Sequence, residues 1–220
     1  AMTGNTIRGC VNAGTVENIY AMFAKKMDTG GISGNTYGTI ENCYNAGTVS
    51  AKLTSSDGRA LDNYAIGGIV GSAGSGSTIQ NVYSTGKVTG PSSDNGNPGA
   101  LIGENSGTVT NAWYLTGTAD KAAGKGTAIR NADKTAAVMQ SDRFAFNLGK
   151  AFRVDCDGIN SGYPVLSWQG GREPVIADDG DAVELAAAGL VLKKADGAVL
   201  TADDAGKYQI REELTLLLEK

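Results

Sequence analysis

Apolar positions along the first 120 residues come in short, largely β-branched bursts, each closed by glycine or asparagine. The clearest is Thr39-Ile40-Glu41-Asn42-Cys43-Tyr44-Asn45-Ala46-Gly47-Thr48-Val49. The same order appears at Thr6-Ile7-Arg8-Gly9-Cys10-Val11-Asn12-Ala13-Gly14-Thr15-Val16 and at Thr78-Ile79-Gln80-Asn81-Val82-Tyr83-Ser84-Thr85-Gly86-Lys87-Val88. A looser copy, Thr108-Val109-Thr110-Asn111-Ala112-Trp113, carries one extra residue before Gly117. Bursts of this length predict strands and turns, not helices. A second motif precedes three of the copies: Gly30-Gly31-Ile32-Ser33-Gly34, Gly67-Gly68-Ile69-Val70-Gly71 and Gly99-Ala100-Leu101-Ile102-Gly103. Two motifs recurring in one order identify a repeat array.

The aliphatic positions Ile7, Ile40, Ile79 and Val109 stand 33, 39 and 30 residues apart, so each step is one structural unit plus a connection of variable length. A glycine-rich unit of this size cannot close a core alone, and neighbouring copies must stack to bury one another. The expected fold is therefore all-β: a short right-handed parallel β-helix of about four coils. Parity adds a detail. Residues three apart on an uninterrupted strand point to opposite faces, yet the Ile40 and Cys43 columns are both apolar. If both face inward, the chain bends between them, at the column Asn42, Asn81 and Asn111. Asparagine tolerates the left-handed backbone of a sharp corner, stacked asparagines can hydrogen-bond from coil to coil, and Gly9 meets the same backbone demand in the first copy.

The next column is Val11, Tyr44, Tyr83 and Trp113. If Cys43, Val82 and Ala112 point inward, parity sends these residues outward unless a second bend intervenes. Tyr44, Tyr83 and Trp113 are then the candidate binding residues, a ladder for sugar rings or a partner's apolar surface. The plainer alternative is that other parts of the chain cover them. The variable connections Glu17 to Thr29, Ala51 to Asn63 and Gly90 to Pro98 all follow a Gly-x-Val segment and so should leave the stack on one side. They are either ligand-binding loops or solvated ones.

After Thr116 the repeat pattern fades. Ser141 can cap a short helix whose Phe144 and Leu148 share one face, with Gly149 placed to stop it. A turn follows at Asp157 to Gly162, then a strand at Tyr163-Pro164-Val165-Leu166-Ser167-Trp168. Residues 135–168 thus read as a helix and strand cap over the open end of the stack. Residues 170–180 read as an acidic linker, and 181–220 as a small β-rich module. In it Gly189 to Lys194 and Ala198 to Leu200 suggest strand, turn and strand, and Leu214 to Leu218 fits either a strand or a helix. Gly206-Lys207-Tyr208-Gln209-Ile210 resembles a strand of small prealbumin-like modules. So short a module is truncated or depends on the repeat domain.

The double motif resembles the GLUG-motif repeats of bacterial surface proteins, and the Gly-Tyr-Pro-Val-Leu-x-Trp ending is similar to how such proteins close their repeat block. The resemblance spans roughly Thr3 to Gln169, within a repeat domain with its cap over residues 1–169. It implies an exported module at the cell surface or outside the cell, a non-catalytic adhesive or spacer piece of a larger protein. Its partner would be a host or cell-wall glycan or protein. The alternatives are a carbohydrate-active β-helix enzyme, either lyase or glycosidase, and an accessory domain of a surface protease, since GLUG repeats also occur in such proteases.

Composition trims these options. The sequence holds no histidine, which removes Ser-His-Asp and Cys-His nucleophile systems and the H-E-x-x-H zinc motif. Residues 1–171 carry 13 Lys+Arg against 12 Asp+Glu without a basic cluster, which argues against nucleic acid. No apolar run is long enough to enter a bilayer as a helix. Gly124-Lys125 lacks the following Ser or Thr of a P-loop. Asp155-x-Asp157-Gly158-x-Asn160 places oxygens around a turn but lacks the bidentate acid of a calcium loop. No cofactor, metal or catalytic residue is expected. Enzymes on β-helices need acids gathered on one stacked face, whereas the single acid of the strand motif, Glu41, faces Arg8, Gln80 and Thr110 in its column. Cys10 and Cys43 also share a column, as small buried residues or, with more demanding geometry, as a disulfide.

Overall fold

The computed structural model describes residues 4–20, 27–53, 64–90, 98–170, 190–193 and 215–218. Two compact units divide the chain, Ala1–Phe152 and Arg153–Lys220. The described residues are mostly β-strand, in parallel sheets with two short helices, and no sheet closes into a barrel.

In the first unit the repeat motif forms one sheet from Thr6–Arg8, Val11–Asn12, Thr39–Asn45, Thr78–Ser84, Thr108–Leu115 and Asp133–Lys134. Its register is the one the repeat implies: Thr6, Thr39, Thr78 and Thr108 align, and beside them Ile7, Ile40, Ile79 and Val109. The chain bends where expected. Asn42, Asn81 and Asn111 sit at φ 53°, 50° and 47°, and Gly9 at 65°. Asn81 Nδ2 donates to Asn42 Oδ1 at 3.1 Å and Asn111 Nδ2 to Asn81 Oδ1 at 2.8 Å, which makes the corner a ladder of amides.

Three further parallel pairings recur in the same order along the chain. Ser33–Thr36, Val70–Ala73, Ile102–Asn105 and Ala123–Gly126 form one sheet, Val16–Tyr20, Val49–Leu53 and Val88–Thr89 another, and Met27–Gly30 pairs with Tyr64–Gly67. Ile40, Cys43, Ile79 and Val82 from the motif sheet meet Ile69, Val70, Leu101 and Ile102 in one buried cluster. Val49, Val88, Ile66, Tyr64 and Met27 make a second. Glycine permits the closest approach between copies: a β-carbon at Gly47 would collide with the Gly14 carbonyl, and one at Gly86 with that of Gly47.

Two sequence expectations change here. The connections expected over Glu17 to Thr29 and Ala51 to Asn63 begin as paired strand, with Val16–Tyr20 in register against Val49–Leu53, and the first also ends in strand at Met27. The pairing follows a main-chain register that no repeated side-chain motif marks. The stretches 21–26, 54–63 and 91–97 lie outside the described residues. Nor does stacking stop at Thr116. Ala100 and Leu101 donate main-chain hydrogen bonds to Lys121 and Ala122, Ala123–Gly126 pairs with Ile102–Asn105, and Asp133–Lys134 pairs with Tyr114–Leu115. The parallel pairing thus continues past the last motif copy, through a segment of mostly alanine, glycine and lysine.

The helical expectation holds. Helix α1 spans Ala136–Met139 and α2 spans Asp142–Leu148. Ser141 Oγ accepts from the Phe144 N–H, Gly149 ends α2 at φ 100°, and Phe144, Ala145 and Leu148 are buried along one side.

In the second unit, the turn at 155–162 is organised by Asp155. Its carboxylate accepts main-chain N–H groups of Ile159 at 2.8 Å, Asn160 at 2.7 Å and Gly162 at 3.0 Å. The strand expected over Tyr163 to Trp168 is limited to Val165–Leu166, both buried, and becomes a 3-10 turn at Ser167–Gln169 with Trp168 exposed. Leu190–Lys193 pairs antiparallel with Thr215–Leu218, so the leucine run is a strand. The linker expected at 170–180, apart from Gly170, and the strand expected at Ala198 to Leu200 lie outside the described residues.

Candidate functional site

The three aromatic candidates share one column in register: Tyr44 aligns with Tyr83, and Tyr83 with Trp113. Parity places them on the side of the strand opposite Cys43 and Val82, and neither tyrosine belongs to the buried clusters between the sheets. They are nevertheless not exposed. Tyr44 is 2% and Tyr83 0% accessible, their rings stack at 4.9 Å with planes 4° apart, and Tyr83 also meets Phe144 of α2 edge-on at 6.0 Å and Phe152 at 5.9 Å. The outward ladder inferred from parity is thus a covered one. Parity fixes the side on which a residue lies, while the helix that follows the repeats supplies an apolar cover for that side. Offset-stacked and edge-on aromatic pairs of this kind add about 0.5–1.5 kcal/mol beyond area burial.

Trp113, one copy of the motif further on, differs. It is half-buried, its Nε1 donates to Asn111 Oδ1 at 2.8 Å, and Lys134 Nζ stands 4.6 Å from the ring centroid. Asn111 Nδ2 in turn donates to the carbonyl of Asn147 in α2 at 2.9 Å. The corner asparagine therefore fixes both the indole and the helix.

On the outer face of the same sheet, Glu41 is held between its column neighbours. Arg8 Nε donates to Oε1 and Gln80 Nε2 to Oε2, the latter at 2.7 Å. These two bonds, Gln80 first and Arg8 second, hold the carboxyl below its ordinary value. A carboxylate with both oxygens engaged by the scaffold and a lowered pKa is ill suited to general acid or base work near neutral pH. Among the described residues no three acidic or cysteine side chains cluster in a way that could hold a metal.

One set of polar residues escaped the sequence reading. Asn12 Nδ2 donates to Asn45 Oδ1 at 2.7 Å, and Asn45 Nδ2 to Ser84 Oγ at 3.2 Å and to the Gly47 carbonyl at 2.8 Å. Asn45 and Ser84 are fully buried. The signal was present as a polar column two residues past Cys10, Cys43 and Val82, where strand alternation points inward again.

Residues 62–89 match a family model described as the GLUG motif. The chain carries a GLUG motif. The match covers one Gly-Gly-Ile-Val-Gly segment and the Thr78-to-Val88 strand segment that follows it, and the other copies align with this segment in the sheet register. No curated protein and no solved structure matches the chain.

Proposed function

We propose that the chain is a non-catalytic adhesion or spacer module of a larger bacterial exported protein, working outside the cell or at its surface. We also propose that its parallel sheets wind as a short right-handed β-helix of about four coils. The winding is supported by strands that recur in one order and pair copy to copy in the sheets of the repeats, and the hand by the strong right-handed preference of parallel crossovers. The GLUG motif supports the cellular setting through the resemblance to surface proteins.

One observation carries the functional reading. The columns that could carry chemistry are occupied by their own neighbours: aliphatics in the core, asparagines in ladders, Tyr44 stacked on Tyr83 and Tyr83 against Phe144 of α2, and Glu41 between Arg8 and Gln80. Such columns serve stacking and leave no gathered acids for sugar chemistry. Of the three aromatic candidates, Trp113 alone keeps part of its ring open to a surface glycan or protein. Incubating the purified chain with host and plant polysaccharides, and assaying reducing ends and unsaturated products, is expected to give no turnover. Product formation that scales with the chain would overturn the reading.

A further inference from the structure

Cys10 and Cys43 face each other across the first two rungs of the stack. Their neighbours fix the alignment, with Arg8 opposite Glu41 and Val11 opposite Tyr44. In-register parallel neighbours lie about 4.8 Å apart, inside the Cα separation of about 4.4–6.8 Å that a disulfide accepts. Cys43 Sγ also reaches the neighbouring copy, accepting the Cys10 N–H at 3.3 Å. Both are free thiols here.

Their environments differ in a way that orders a reaction. Cys43 is wholly buried, and burial pushes its thiol up to about 11, while Cys10 is only partly covered. Of these two, Cys10 is the one open to a reagent from solution, and a thiolate is the attacking species in exchange. The rung that carries Cys10 is also the more exposed one: Ile7, Val11 and Val16 are half-buried, whereas Ile40, Tyr44 and Val49, their counterparts one rung on, are buried.

We propose that Cys10 and Cys43 form a redox-dependent cross-link that fastens the first rung to the second. The oxidant is a small-molecule or protein disulfide. Cys10 thiolate attacks one of its sulfurs, expelling one thiolate and leaving a mixed disulfide on Cys10. The Cys43 sulfur, giving up its proton to solvent, then attacks the Cys10 sulfur and expels the second thiolate. Two protein thiols are oxidised, and one external disulfide is reduced to two thiols.

The experiment uses the chain with Cys156→Ser, which removes the exposed third thiol, and oxidised glutathione as the probe. Free thiols are expected to fall from two to none, with a Cys10–Cys43 linked peptide in a non-reducing mass map. Amide exchange over Thr6–Arg8 should slow, and dithiothreitol should reverse both changes. Adding Cys43→Ala, a residue the same column already holds at Ala112, should stop the reaction at one glutathione on Cys10. A glutathione that persists on Cys10 while Cys43 is present, or two thiols that survive native oxidation, would overturn the proposal.

Discussion

At Asn81 a single side chain does two jobs, accepting a left-handed backbone at φ 50° and linking the amides above and below it. Substitutions separate the two. Asn81→Gly keeps the backbone and loses the ladder, whereas Asn81→Ala loses both and places a β-carbon at positive φ, so alanine should be the more destabilising by about 1 kcal/mol. Urea unfolding of the pair measures this, and equal losses would mean that the backbone conformation matters little. Tyr83 offers a second contrast. Its ring is fully buried between Tyr44, Phe144 and Phe152, so Tyr83→Ala should cost about 3–5 kcal/mol. Trp113→Ala, at a half-buried indole under Lys134, should cost about 1–2 kcal/mol. Comparable losses from the same unfolding measurement would show that Tyr83 is not the core residue its burial indicates. The asparagine corner was legible in the sequence because one residue type recurs where two apolar columns need a bend. The burial of the tyrosines was not, because parity says which side a residue takes and nothing about what lies against it.

Among elements, α2 was readable because its signals are local: Ser141 before the helix, Gly149 after it, and two apolar residues a turn apart. What it packs against was not readable. The helix reaches residues of two successive copies, Tyr83 through Phe144 and Asn111 through the Asn147 carbonyl, so it lies along the tyrosine column. The strands Val16–Tyr20 and Val49–Leu53 were hidden for a different reason. Their pairing is a main-chain register, and Glu17 on the first forms an ion pair with Lys52 on the second that no repeated motif announces. The rung after Thr116 was hidden in the same way. Ala122 and Ala123 occupy the places of Leu101 and Ile102, and small side chains keep the register while erasing the pattern.

For the whole first unit, the central claim is that successive copies are interchangeable rungs whose stability comes from the rung on either side. Removing residues 40–78 deletes one 39-residue step and joins Thr39 to Ile79, which restores the Thr-Ile-Gln-Asn order at the junction. The first rung would then meet the third, with Ile7 against Ile79 and Cys10 against Val82, in columns that already accept those residues. The most direct test is thermal unfolding of this shortened chain, followed by far-ultraviolet circular dichroism. A single cooperative transition, at a lower midpoint and with the strand signal retained in proportion to length, is the predicted result. A chain that unfolds without cooperativity, or that never forms the strand signal, would contradict the stack of interchangeable rungs.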